Sequence, residues 1–221
     1  EVAAPEKFTT IYSGMDVEPF VGCHRFADAA RRELQFEEHH VVIGKIARLF
    51  HLKGHEYFFA AAQQVAAEHP QCRFLIVGDG ILRESFEARV TALGIEHLFR
   101  FVGLVPPERV PYYLSAMDVL VHTSLREGLA RTLPQALIAG KPVISYDIDG
   151  AREVVLPDIT GFLLPPRSVQ PLADAMLTLA RDEPLRRRMG QAGADRFTER
   201  FRHQHMTAQI RQLYEQLLQR P

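Results

Sequence analysis

Short runs of β-branched and other apolar residues alternate with amphipathic segments along most of this 221-residue chain. The apolar runs read VVIGKI, RFLIV, LFRFVG, DVLV, PVIS and GFLL, and the segments that follow them span residues 56–68, 82–93, 107–114, 131–139, 151–155 and 169–181. Strands that alternate with helices in this way favour a parallel sheet covered by helices on both faces. The sequence therefore predicts an α/β domain with a doubly wound parallel sheet.

One edge of this predicted sheet collects the residues that can bind a ligand. In doubly wound folds, ligands bind beyond the carboxyl ends of the strands, at the point where the strand order reverses. That rule places the loops at residues 47–54, 78–80, 103–106 and 123–128 together. The last of these loops precedes a helix in which Pro134 fits only the first turn, so the N–H groups from about Leu129 to Leu133 can bind an anion. Glu127 stands just before them and suits sugar hydroxyls, so a ligand with both a phosphate and a sugar is favoured.

Composition and missing motifs exclude several classes of function. Lys and Arg number 26 against 27 Asp and Glu, so the net charge of −1 gives no field that would attract a nucleic acid. No GxGxxG follows the first strand and no GxxxxGK[ST] occurs, which removes the main support for a dehydrogenase or a P-loop NTPase. The chain shows neither a signal peptide nor an apolar stretch of about 20 residues, which favours a soluble, cytoplasmic protein.

Five segments occur in the order and approximate spacing of one known family. They are GKIARLFHLKG at residues 44–54, FLIVGDG at 74–80, FVGLVPPERVPYYLSAMDVLVHTS at 101–124, the stretch from Glu127 to Gln135, and ITGFLLPP at 159–166. On these residues the chain resembles the retaining GT-B glycosyltransferases, also called glycosyltransferase group 1 or family 4. The resemblance runs from residue 11 to about residue 201. It implies the Rossmann-like half of a GT-B fold, followed by a C-terminal helical extension.

The resemblance implies catalytic roles for Arg48, Lys53 and Glu127. Arg48 and Lys53 would neutralise the diphosphate of a nucleotide-sugar while the glycosidic bond breaks, and Glu127 would contact hydroxyls of the transferred sugar. Without the family's pattern, the first two would be read as an ordinary solvated loop and Glu127 as a loop or capping carboxylate. No cofactor or divalent metal is expected, because Arg48 and Lys53 would neutralise the diphosphate in the place of a metal ion.

Further donor contacts are implied at the start of the following helix. Backbone N–H groups of Gly128, Leu129 and Ala130 would bind the sugar and phosphate. Gln135 occupies the position where the family's second glutamate accepts hydrogen bonds from the ribose. An amide oxygen can also accept them, but without charge assistance each bond is weaker by about 1 kcal/mol.

The resemblance divides the chain into three parts. Residues 1–16 would be an interdomain hinge remnant in which Gly14 is the residue able to take unusual backbone angles, and residues 17–200 would be the nucleotide-sugar-binding Rossmann-like domain. Within that domain, residues 28–40 predict an amphipathic helix. Residues 201–221 would form a C-terminal helix that packs toward an absent N-terminal domain, which supplies the acceptor site.

The sequence thus predicts the donor-binding domain of a retaining glycosyltransferase, inactive by itself. A hexosyl group would move from an NDP-sugar, with UDP or GDP as the favoured nucleotide, and polysaccharide biosynthesis is the process typical of the family. The alternative is a non-catalytic nucleotide or nucleotide-sugar binding module, while an epimerase or phosphorylase fits the fold but not the Glu127 segment. Arg181 and residues 186–188 would either touch an anionic membrane from its cytoplasmic side or form a solvated helix face.

Overall fold

Six strands form one parallel sheet in the computed structural model of the chain, which describes residue 4 and residues 7–219. The strands are β1 (Val41–Ile46), β2 (Cys72–Val77), β3 (Phe99–Phe101), β4 (Val119–His122), β5 (Val143–Tyr146) and β6 (Gly161–Leu164), and their order is β3-β2-β1-β4-β5-β6. The α-helices are α1 (Glu18–Val21), α2 (Ala27–Glu33), α3 (His55–Glu68), α4 (Arg83–Ala92), α5 (Val110–Ser115), α6 (Thr132–Ile138), α7 (Val169–Arg181), α8 (Glu183–Phe197) and α9 (His203–Leu218). The predicted doubly wound sheet is confirmed.

Helices cover the sheet on both faces, which explains why the strands are mostly apolar. Ile43 of β1 packs into the core under α3, α4 and α7, whereas its neighbour Val42 packs into the core under α2, α5 and α6. Successive side chains of a strand point to opposite faces, so a strand that is buried on both sides has apolar residues at most positions and not at every second one. The sequence shows this pattern as short unbroken runs.

The strand order reverses between β1 and β4. Ile43 pairs with Val119, while the other edge of β1 pairs with β2. The chain leaves the carboxyl ends of β1 and β4 in opposite directions, so a crevice opens between the two loops that follow. The Leu125 N–H donates to the Leu52 carbonyl and ties these loops together. All four predicted loops follow carboxyl ends of β1 to β4, as expected.

Two predicted helices differ from the structure. The helix predicted over residues 28–40 ends at Glu33, because Gln35 takes a left-handed conformation with φ of 58° and the Phe36 N–H turns back to the Arg31 carbonyl. The segment predicted over residues 151–155 is a 3₁₀ helix, Asp149–Glu153. It begins at a residue with φ of 43° and is too short for a regular α-helix.

The two ends of the domain meet. Met15 pairs with Arg202 in a parallel bridge, and a Cβ added to Gly14 would lie 2.6 Å from the His203 Cα atom. Gly14 is therefore required by close packing, and it is not one of the glycines with a positive φ. Residues 1–3, 5 and 6 of the predicted hinge and residues 220 and 221 of the C-terminal part lie outside the described residues.

The last helix and the basic cluster before it present exposed surface. α9 spans the predicted residues, and none of its sixteen residues, all of them described, is fully buried. Its packing against a further domain stays a prediction. Arg181 pairs with Glu68, Arg187 pairs with Glu183, and Arg186 caps carbonyls at the end of α7, so the cluster fits a solvated helix face. Within the described part of the chain, every helix is too short or too polar to cross a membrane.

Candidate functional site

A cavity of about 270 Å³ occupies the crevice between β1 and β4. Its walls come from the end of β1 and the loop after it, from the end of β4, and from the start of α6. The lining residues are Ile46, Ala47, Arg48, Lys53, His122, Glu127, Ala130, Arg131 and Thr132. The three residues to which the sequence assigned catalytic roles thus share one small cavity at the place where doubly wound folds bind ligands.

The loop after β1 carries Arg48 and Lys53 into the crevice. Arg48 is exposed, and Lys53 closes a short 3₁₀ helix, His51–Lys53. The following residue, Gly54, has φ of 61°, and a Cβ added to it would collide with the Thr123 carbonyl oxygen. Only glycine takes this conformation at no steric cost, and only glycine permits so close an approach. Gly54 therefore allows Lys53 to lie close to the residues that follow β4.

Glu127 is bound from two sides. The Lys53 Nζ atom donates a hydrogen bond to Glu127 Oε1, and the Glu127 backbone N–H donates to Asp149 Oδ2 at 2.6 Å. Interaction with His122, and also with Lys53, lowers the pKa of Glu127 to about 2, although partial burial opposes this. The carboxylate is therefore ionised at neutral pH, and it is an acceptor for several hydrogen bonds.

His122 ends β4 beneath this carboxylate. Its side chain is only 4% exposed, and its Nε2 atom lies 3.7 Å from Glu127 Oε1. The other ring nitrogen, Nδ1, lies 3.4 Å from Ser145 Oγ on β5. Burial lowers the pKa of His122, so the ring is neutral at pH 7.

A buried lysine lies below the same loops. Lys45 of β1 is only 1% exposed, and its Nζ atom donates to Thr123 Oγ1 at 2.9 Å. Burial, with a smaller contribution from the charge of Lys53, lowers the pKa of Lys45 to about 7. Thr123 in turn donates to the Gly54 carbonyl at 2.7 Å, which couples the buried amine to the loop that carries Lys53.

The remaining predicted residues lie at the start of α6. Gly128 is exposed and Leu129 half-buried, and Ala130 lines the cavity. The predicted run of free N–H groups is wrong at its last member, because the Leu133 N–H donates to the Ala130 carbonyl at 3.1 Å. Gln135 is half-buried one turn further along and does not line the cavity among the described residues.

Sequence reasoning missed the side chains of four residues in or beneath the cavity, namely Lys45, His122, Arg131 and Thr132, although the last two lie in the predicted run of N–H groups. Lys45 and His122 stand inside apolar runs, where the pattern of a buried strand hides them. A polar residue near the carboxyl end of a strand at the switch point was the available signal. Arg131 is exposed beside the cavity and adds a third cation to Arg48 and Lys53.

Another group of chemically active side chains lies at the amino ends of the strands, on the side of the sheet away from the cavity. The ligand atoms of Glu37, His39 and His40 lie within 4.8 Å of one another, just before β1. The Glu37 backbone N–H donates to His40 Nδ1 at 2.8 Å, so a neutral His40 carries its proton on Nε2. That ring therefore has no lone pair for an ion unless this hydrogen bond breaks.

The sequence pattern of the family described as glycosyl transferases group 1 matches residues 26–196, which is more than half of the chain. The chain belongs to this family. Among group 1 relatives, a D-inositol 3-phosphate glycosyltransferase of Corynebacterium aurimucosum is 26% identical over 219 residues, covering 96% of this chain and 52% of that protein. A 2-deoxystreptamine N-acetyl-D-glucosaminyltransferase of Streptomyces fradiae is 37% identical over 128 residues, covering 57% and 30%.

Solved structures of similar proteins have the same fold. Anabaena Alr3699/HepE in complex with UDP is 26% identical, with a TM-score of 0.89, and the match covers 96% of this chain and 58% of that one. Sucrose-phosphate synthase from Thermosynechococcus elongatus is 28% identical, with a TM-score of 0.84, covering 94% and 52%. The predicted group 1 membership and GT-B Rossmann-like fold are confirmed, and the chain spans about half the length of the inositol phosphate glycosyltransferases that it matches.

Proposed function

We propose that this chain is the donor-binding domain of a retaining glycosyltransferase that moves a hexosyl group from a nucleotide-sugar to an acceptor. One observation carries the proposal. Lys53 and Glu127 form an ion pair in the same cavity that Arg48 lines, at the switch point of a doubly wound sheet. Cations for a diphosphate and a carboxylate for sugar hydroxyls therefore stand side by side, as a nucleotide-sugar requires.

In this proposal the two cations stabilise the leaving group. When the bond between the sugar and the diphosphate breaks, negative charge builds on the nucleotide, and Arg48 and Lys53 are placed to neutralise it. Because both cations already stand at the cavity, little reorganisation is needed as that charge develops. The reaction then requires no divalent metal, and catalysis consists of positioning and leaving-group stabilisation.

Glu127 is proposed to orient the transferred sugar. Its ionised carboxylate has one oxygen engaged by Lys53, which leaves the other for hydroxyl groups. The backbone N–H groups of Gly128, Leu129 and Ala130 are proposed to bind the sugar and phosphate, and Gln135 to reach the ribose. Arg131 would add a further positive charge beside the phosphates.

UDP is the first nucleotide to test, with GDP as the second. Structures of the similar Alr3699/HepE hold UDP, UDP with glucose, and UDP-glucose. A separate N-terminal domain is proposed to supply the acceptor site, so this chain alone should bind a donor and transfer little. A cytoplasmic location, with peripheral contact to a membrane, and a part in polysaccharide biosynthesis stay predictions.

A thermal-shift series tests the proposal. The chain would be titrated with UDP, GDP, ADP and CMP and with their hexose conjugates, beside Arg48→Ala and Glu127→Ala. A ligand at 100 times its Kd adds about 2.7 kcal/mol, which raises the unfolding midpoint of a domain of this size by several degrees. We expect one nucleotide to raise the midpoint, Arg48→Ala to abolish the rise, and Glu127→Ala to remove only the further rise caused by the sugar. No rise with any of these ligands would refute the proposal.

A non-catalytic nucleotide-sugar binding module is the second candidate, and Gln135 is the residue that favours it. A site that has lost its charged ribose acceptor would retain the ligand without selection for turnover. Joining the chain to an N-terminal domain and assaying transfer of the hexosyl group separates the two candidates. Turnover supports the enzyme, whereas tight donor binding without turnover supports the module.

A further inference from the structure

His122 connects the Glu127 carboxylate to the middle of the sheet. It is the last residue of β4, its register partner on β5 is Ser145, and its ring lies between the Ser145 hydroxyl and the Glu127 carboxylate. The three groups come from two neighbouring strands and the loop above them. Because the ring is buried, its position is fixed by the sheet and not by a mobile loop.

The chemistry of the contacts determines which ring nitrogen carries the proton. Glu127 is ionised, and its Oε1 atom lies 3.7 Å from Nε2, so the ring places the positive end of an N–H dipole next to the carboxylate when Nε2 is the protonated nitrogen. Nδ1 then has a lone pair that can accept a hydrogen bond from the Ser145 hydroxyl group. In the structure this hydroxyl group also donates to the Tyr146 carbonyl at 2.9 Å. The charged groups that face the ring are Glu127, Lys45 and Lys53, and the two cations together with burial oppose an imidazolium.

Lys53 alone cannot hold Glu127 in place once a nucleotide-sugar is bound. Its ammonium group is a flexible point charge, and a diphosphate in the cavity competes for it with two phosphate groups. The N–H group of a neutral, buried histidine ring is not drawn toward the phosphates in this manner. On the basis of the proposed function, we infer that His122 is a positioning residue, whose Nε2–H group holds Glu127 Oε1 so that Oε2 faces the hydroxyls of the transferred sugar.

Calorimetric titration with two ligands tests this inference. The Kd for UDP reports the nucleotide contacts, and the Kd for UDP-glucose adds the sugar contact. The ratio of the two Kd values measures the contribution of the sugar to binding, called here the sugar's share. GDP and GDP-mannose replace these ligands if the chain prefers guanine. The variants are His122→Leu, which removes the donor, and His122→Gln, whose side-chain amide can donate from a similar place. His40→Leu is the matched control, because His40 is also buried but lies at the amino ends of the strands.

We expect His122→Leu to reduce the sugar's share about tenfold while the Kd for the nucleotide alone changes less than about twofold, because the buried N–H group that faces the Glu127 carboxylate is lost. His122→Gln should keep most of the sugar's share, and His40→Leu should change neither Kd. An unchanged ratio in His122→Leu, or an equal loss of both ligands, would overturn the inference and leave the proposed function standing. Failure of the wild-type chain to bind any nucleotide would instead count against the proposed function.

A spectroscopic measurement on the free chain decides the inference even if His122→Leu does not fold. In ¹⁵N spectra of the histidine side chains, assigned with His122→Gln, the neutral His122 ring should carry its proton on Nε2. Its signals should shift when Glu127→Gln removes the charged acceptor. A ring with its proton on Nδ1 cannot donate to Glu127, and that result would overturn the inference whatever ligand the site binds.

Discussion

Lys53 donates its hydrogen bond to Glu127, a residue 74 positions later in the chain. The pair joins the loop after β1 to the loop after β4, and it bridges the reversal in strand order. Without a ligand, each group offsets much of the charge of the other. In the proposed function, the diphosphate would bring an excess of negative charge into the cavity, which Arg48 and Arg131 would balance.

Lys53→Gln should weaken the binding of UDP by about tenfold or more, because a charged hydrogen bond contributes about 1.5–3 kcal/mol. The variant also leaves the Glu127 carboxylate without its cation and next to the phosphates, which adds repulsion. Isothermal calorimetry measures the change. Arg181→Gln is the control, since it removes a cation at the far end of α7. Equal Kd values for wild type and Lys53→Gln would show that the lysine does not contact the diphosphate.

Gln135→Glu should tighten UDP binding by about fivefold, because a charged acceptor strengthens a hydrogen bond by about 1 kcal/mol. The gain requires hydroxyl groups on the ribose. A UDP analogue that lacks the 2′ and 3′ hydroxyls should therefore bind the variant and the wild type alike. A gain with both ligands, or with neither, would contradict a contact between residue 135 and the ribose.

Lys45→Met should stabilise the fold at pH 6–7 and lose this advantage as the pH rises toward 10. In the folded state burial lowers the pKa of Lys45 from 10.5 to about 7, so between these values the unfolded chain binds more protons. Wild-type stability therefore rises with pH across this window, whereas the methionine of the variant does not titrate and contributes equally at every pH.

Unfolding midpoints of both proteins at pH 6, 7.5, 9 and 10 check the Lys45 prediction. Each kcal/mol should move the midpoint by about 2–4 °C in a domain of this size. Thr123 keeps its hydrogen bond to the Gly54 carbonyl in the variant, so no buried hydroxyl is left without a partner. A difference that does not depend on pH would mean that the amine stays charged in the folded protein.

Gly54→Ala should destabilise the protein more than Gly94→Ala. Both glycines have left-handed backbones, with φ of 61° and 73°, but only at Gly54 would the new Cβ meet backbone, at Thr123. The conformation alone costs about 1–2 kcal/mol, and the collision should raise the total at Gly54 to about 3 kcal/mol or more. Urea unfolding measures both values, and equal losses would show that the loop yields freely.

The sheet and most helices were predictable, because a doubly buried strand needs a continuous apolar run and the helices between the strands carry their own periodicity. Helix ends were harder to predict. The helix predicted over residues 28–40 ends early because Gln35 adopts a left-handed conformation that is normally marked by glycine or asparagine. No residue in that stretch of the sequence signals the turn.

The site was predictable where side chains follow strand ends and hidden where they stand within strands. Arg48, Lys53 and Glu127 lie on loops at the switch point, and the structure brings them to one cavity. His122 and Lys45 belong to strands whose burial pattern reads as core. Their role depends on which strands are neighbours, and that follows from the strand order and not from local sequence.

Two main-chain hydrogen bonds join Met15 to the residues on either side of Arg202, and Gly14 packs directly on His203. The segment that enters the domain and the segment that leads into α9 are thus bonded to each other at one place. A displacement of the residues before Gly14 would therefore move the start of α9 as well. Neither segment can therefore leave the domain without breaking main-chain contacts to the other.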